Sequence, residues 1–235
     1  MSAHDAAALL RASAMFAGLP AKEIAALAAV AQEHAHRARE YVFMEDDPAQ
    51  WLYIVKSGRV KILRHSRTGR DVVLELLGPG EVFGAVAVVE RRPYPASAQA
   101  VEASAVLRIP AETILALSER QPSLIREMAL MIGRRLRAAH ESVKSLSVDP
   151  VEARLAARLL RLAENGATRG PRGLTLPFHL TRQSLADMTG TTVETAIRVV
   201  SRWLKDGLLL DEDGRLVLTD VAALRALAEG EREED

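Results

Sequence analysis

The stretch TRQSLADMTGTTVETAIRVVSRWLKD (181–206) concentrates the residues whose types and spacing could do chemistry. Arg198 follows Glu194 by four positions, so a helix would set both on one face. An arginine can pair bidentately with the outer edge of guanine, and a glutamate can accept from cytosine N4. Val193 and Ile197 would flank that pair on the first turns of the same helix. Thr181, Arg182, Gln183 and Arg202 are donors or cations suited to phosphates. This is a set for reading a base sequence. An enzyme is not expected: no paired carboxylates, Ser/His/Asp set or phosphate-cradling loop can be identified.

Two helices must position this set. Thr181 can cap the first, with Leu185, Ala186 and Met188 turned inward, and Gly190 supplies a turn. Thr192 can cap the second, whose inner face is Ala196, Val199, Val200 and Trp203 with Leu204. Two short helices with a glycine turn and an apolar clasp make a helix-turn-helix. Its second helix enters the major groove by its N-terminal end. Leu208–Leu210, a turn at Asp213-Gly214, Leu216–Leu218 and a capped helix from Thr219-Asp220 add a wing. The alternative is an ordinary helical hairpin with a Glu194–Arg198 surface ion pair. Upstream, Asp149 and Pro150 should start a helix to Glu164, a loop spans Asn165–Gly173, and Leu174–Leu176 forms a short strand.

The rest of the chain has a different texture. Helical spacing covers 5–15 and 21–35. Short β-rich runs follow at Tyr41–Met44, Trp51–Val55, Arg59–Arg64, Asp71–Leu77, Val82–Val89, Ser97–Val101 and Ala105–Ile109. Turn signals such as Ser57-Gly58, Thr68-Gly69 and Pro79-Gly80 divide them. Such spacing predicts an antiparallel barrel or jelly roll, with the Val72/Leu74/Leu76 series alternating as on a strand with one buried face. Residues 111–118 make a short helix, and Pro122 opens a long one to Leu146. Its stripe of Ile125, Met128, Ile132, Leu136, Ala139, Val143 and Leu146 has gaps of three and four, a coiled-coil seam for a homodimer. Packing back on the barrel is the other use of that stripe, but a helix this long outreaches a small barrel.

The expected fold is therefore α+β. Residues 1–110 form an antiparallel β jelly-roll sensor with N-terminal helices, and 111–148 the dimerisation helix and hinge. Residues 149–228 form a winged helix-turn-helix, and EGEREED (229–235) an acidic tail. The 235 residues contain no cysteine, which excludes disulfides, cysteine-held iron–sulfur clusters and thiolate zinc sites. No apolar run can span a bilayer and no secretory leader is visible, so a cytoplasmic protein with no membrane partner is expected. With 31 basic and 31 acidic residues, any nucleic-acid surface must be a small local face.

KSGRVKIL (56–63), PGEVFG (79–84), SAQAVE (97–102), the long helix and TRQSLADMTGTTVETAIR (181–198) together resemble one family. It is the cyclic-AMP receptor protein/fumarate-nitrate regulator family of bacterial transcription factors, and the likeness covers nearly the whole chain. It implies a homodimer on palindromic promoter DNA, acting with RNA polymerase, with Glu194 and Arg198 as base readers. Val193 resembles the fumarate-nitrate branch, which implies a half-site of the TTGAT type; that branch has Ser where this chain has Ile197, which would sit near a thymine methyl. A module of the same fold that binds a ligand or scaffolds without DNA is the alternative.

The resemblance also marks a departure. Cyclic-nucleotide binders of the family carry Gly-Glu and then Arg-Ser/Thr-Ala, for the ribose and the cyclic phosphate. Here the pocket reads Gly84-Ala85-Val86, then Ala96-Ser97-Ala98, without either charged ligand. Cyclic AMP is expected to bind poorly or not at all, unless Arg91 or Arg92 substitutes from the neighbouring loop. The effector, if any, stays unidentified. Haem ligation would fall to His34, His36, His65 or His140, residues that are more often ordinary surface or packing histidines.

Overall fold

The computed structural model describes residues 2–65, 71–148, 150–164 and 166–229, with side chains for all of these except 71 and 141–148. The chain divides into two compact units, with the boundary between Arg137 and Ala138 inside one long helix. The expected Asp149 cap, the Thr68-Gly69 turn, Asn165 and residues 230–235 of the acidic tail lie outside the described residues, as do the Val143 and Leu146 side chains.

In the first unit, α1 (Ala3–Ala12) starts with a capping box between Ser2 and Asp5, and α2 (Ala21–Val30) starts after Pro20. The strands are β1 (Gln32–His36), β2 (Tyr41–Phe43), β3 (Trp51–Ser57), β4 (Val60–His65), β5 (Asp71–Leu77), β6 (Val82–Phe83), β7 (Ser97–Ala100) and β8 (Ser104–Pro110). They form two antiparallel four-stranded sheets, ordered β1-β8-β3-β6 and β2-β7-β4-β5. The aromatic core of Phe43, Tyr53, Phe83 and Tyr94 packs with Val55, Val60, Leu77, Ala98 and Val106. A second core joins α1 and α2 to Leu52, Ile54, Leu107 and Ile109.

Three expectations about this unit are corrected. Helix α2 stops at Val30, and 32–36 is a strand despite its lack of β-branched residues. Pairing with β8, from Gln32↔Arg108 to His36↔Ser104, overrides local propensity. The expected strand Val82–Val89 is only two residues long. Gly84 turns the chain at φ +77°, and α3 (Ala85–Glu90) buries Ala85 and Val88 at helical spacing. On β5, Val72 and Leu74 face solvent, and Leu77 is the residue that enters the core.

Helix α4 (Ala111–Arg120) leads to α5 (Pro122–Val148). Here too the structure corrects the sequence. Met128, expected to line an open seam, is buried with Leu124 one turn earlier in the core beside α1 and α2. The exposed stripe is Ile125, Ala129, Ile132, Leu136 and Ala139, with gaps of four and three. Helix α5 thus has two apolar faces, one used by the barrel and one open among the described residues.

The second unit contains α6 (Val151–Glu164), α7 (Arg182–Thr189), α8 (Val193–Lys205) and α9 (Val221–Glu229). A four-stranded antiparallel sheet joins them, ordered β11-β12-β10-β9. Its strands are β9 (Thr168–Gly170), β10 (Gly173–Thr175), β11 (Leu209–Glu212) and β12 (Arg215–Leu218). The stretch read as a loop after α6 therefore carries half a hairpin, and β10 pairs Leu174 with Leu218 of the wing.

Candidate nucleic-acid interface

Thr181 caps α7 as expected, its Oγ1 accepting from the Ser184 amide at 3.0 Å. Gly190 ends α7 at φ +61°, in the left-handed region that spares a glycine the steric cost. Thr192 then caps α8 by accepting from the Thr195 amide at 3.3 Å. Ala196, Val199, Val200 and Trp203 are buried, as are Leu185 and Ala186 on α7. From behind, α6 clasps the pair: Arg154 donates to the Thr189 carbonyl at 3.0 Å, and Arg158 to Met188 Sδ.

With those positions inside, helical geometry sends Glu194, Ile197, Arg198 and Ser201 to solvent. Ile197 is 45% exposed between Glu194 and Arg198. Val193 is half-buried beside the turn. At the start of α7, Thr181 and Gln183 are exposed and Arg182 is half-buried, while Gln183 donates to Asp187 at 2.7 Å. Arg202 is engaged by Glu152 of α6 in an ion pair that sequence reasoning missed, since nothing local links positions fifty apart.

The wing turns at Asp213 and Gly214, both at positive φ, the conformation that favours a two-residue hairpin. Its tip is acidic, with Asp211, Glu212 and Asp213. Glu212 pairs with Arg172 at 2.7 Å, and Asp211 accepts from the Gly214 amide. A Cβ on Gly214 would lie 2.6 Å from His179 Nδ1, so the tip rests against that imidazole.

The residues expected to form an effector pocket separate into two groups. Ala85, Ala96, Ser97 and Ala98 are buried. Ser97 Oγ accepts from the Glu45 amide at 2.9 Å. Val86, Arg91 and Arg92 are exposed at α3 and its C-terminal end. Tyr94, between the two groups in sequence, stacks on Phe43 with ring centres 3.8 Å apart. Its hydroxyl donates to the Trp51 carbonyl at 2.6 Å and accepts from the Trp51 amide. Burial pushes the Tyr53 and Tyr94 phenols up from their ordinary values. Arg59 is a buried cation in this unit that the sequence reading did not single out. Burial pulls its pKa down, while Glu102 and Glu81 act to restore it.

Residues 33–121 match the cyclic nucleotide-binding domain, and residues 153–227 the Crp-like helix-turn-helix domain. The chain is 32% identical to the cyclic AMP receptor protein of Thermus thermophilus, over 94% of its own length and 99% of the other's. It is 29% identical to the transcriptional activator protein anr of Pseudomonas aeruginosa, over 83% of this chain and 79% of that one. Among solved structures, FixK2 from Bradyrhizobium japonicum shares 25% identity at a TM-score of 0.76, covering 84% of this chain and 97% of that one. Among the described residues, no helix is long and apolar enough to cross a membrane.

Proposed function

The chain belongs to the CRP/FNR family of transcription regulators, and from that premise we propose that it is a homodimer reading palindromic promoter DNA through Glu194 and Arg198. The observation that carries this reading is the α8 face itself. Glu194, Ile197 and Arg198 are exposed together on a helix fixed by two threonine caps and a buried tryptophan.

In this reading 1–110 is the sensor, 111–148 the dimerisation helix and hinge, 149–228 the DNA-binding domain and 229–235 an acidic tail. Two copies meet along Ile125, Ala129, Ile132, Leu136 and Ala139, and two recognition helices then address half-sites about 34 Å apart. Thr181, Arg182, Gln183 and Thr192 serve the phosphate backbone. Arg202 does so only in competition with Glu152. The protein works in the cytoplasm with RNA polymerase. Its sensor does not use cyclic AMP: Ala85 and Ala96 stand where the ribose and phosphate ligands would be, and both are buried. The test is a salt-dependent gel shift on promoter DNA followed by selection of bound sequences. A palindrome with a strong salt slope is expected. No binding to duplex DNA at low salt would defeat the reading.

A further inference from the structure

Helix α5 meets the barrel through Leu124, Met128 and the half-buried Met131, and one turn further on through Arg135. Arg135 Nε lies 2.7 Å from Glu75 Oε1 on β5. Its Nη2 donates to the Val82 carbonyl on β6 at 2.6 Å. The two partners belong to strands of different sheets. A planar guanidinium can hold both at once, whereas a lysine has no such fork. Val82 is two residues before Gly84, whose conformation starts α3 and whose Cβ position is walled by Trp51 and Tyr94. On the other side, Leu136 follows Arg135 directly and Ile132 lies one turn back, both exposed.

We propose that Arg135 is a positioning residue: it ties the barrel segment leading into Gly84 and Ala85 to the rotation of α5, and so sets which apolar face α5 offers to a second copy. The inference rests on the dimer reading above. A turn of α5 about its axis by one residue, roughly 100°, would carry Ile132 and Leu136 off the seam. The barrel-side residues resist this only as far as Met131; Arg135 extends the constraint to the last turn of the first unit. A displacement of β6 is therefore felt on α5 both through the core that Val82 shares with Leu124 and Met128 and, nearer the seam, through the Arg135 side chain.

The test compares the full-length protein with Arg135→Ala, Glu75→Gln and the exposed neighbour Arg134→Ala, by backbone hydrogen exchange and sedimentation equilibrium. Arg135→Ala should speed exchange across 82–90 about tenfold relative to the rest of the barrel, and weaken self-association about tenfold. Glu75→Gln, which keeps the shape and removes the charge, should move both in the same direction. Arg134→Ala should move neither. Unchanged exchange at 82–90 in Arg135→Ala overturns the positioning role, as does a dimer of unaltered strength. A monomeric unaltered protein overturns instead the dimer reading, while the exchange measurement still reports whether Arg135 holds β6.

Discussion

Met128 and Ile132 sit one turn apart on α5 and face opposite environments: Met128 is 4% exposed and Ile132 38%. The helix is apolar on two sides, and only the side carrying Met128 is covered by the rest of its unit. Substitution at the two positions should therefore fail in two different ways.

Ile132→Asp would place a charge on the open face, where burying it unpaired against another copy is costly. The expected outcome is a folded monomer with an unchanged melting temperature at low concentration and lost DNA affinity. Met128→Ala should instead cost about 2–5 kcal/mol of stability by leaving a cavity, with self-association retained below the melting point. Paired sedimentation and thermal melts check both; two variants with the same phenotype would refute the two-face reading.

Arg198→Ala should remove a base contact worth about 1–3 kcal/mol per half-site and relax preference at that base. Arg182→Ala should weaken all sequences alike and lower the salt slope by about one per lost contact. Binding selections on both variants separate the two roles. An even loss across sequences for Arg198→Ala would reassign it to the backbone.

Cyclic AMP should produce no heat of binding at micromolar protein and no rise in melting temperature. A charge-assisted bond to the phosphate is worth about 1.5–3 kcal/mol, and Ala96 cannot make one. A measurable rise would send attention to Arg91 and Arg92 at the end of α3.

The buried tyrosines predict alkaline lability. Their folded pKa values are raised, so the neutral phenols contribute stability that is full below the unfolded value, about 10, and is lost as pH climbs toward the folded values. Melting temperature should be level from pH 8 to about 10 and fall above it. Tyr53→Phe should make that fall shallower. An equally steep fall in the variant would place the titrating group elsewhere.

What could be read in advance followed from short-range physics. Thr181, Gly190 and Thr192 carry their conformational preferences within a few residues, so the helix-turn-helix and its outward face were legible. The Asp213-Gly214 turn declared the wing for the same reason. What could not be read depended on partners far along the chain. QEHAH becomes a strand only because β8 lies beside it. Arg202 meets Glu152, and Arg135 meets Glu75, through folding alone. The phase of α5 escaped because Met128 and Ala129 are both plausible in a heptad, and only the barrel decides between them.

The Phe43–Tyr94 stack bears on attempts to redesign the sensor. Placing a charged pair there by Ala85→Glu and Ala96→Arg would put two ions at positions that are 1% and 6% exposed, the first of them packed in the apolar core with Val82 and Val88. Each would need to leave water without a ligand to meet it, and the barrel would resist by unfolding or by extruding the new side chains. Room has to be carved before charge is introduced. Truncating Tyr94 first would vacate the space its ring fills and free the Trp51 backbone groups that its hydroxyl now holds. A designed responsive variant of this scaffold therefore begins with a hole.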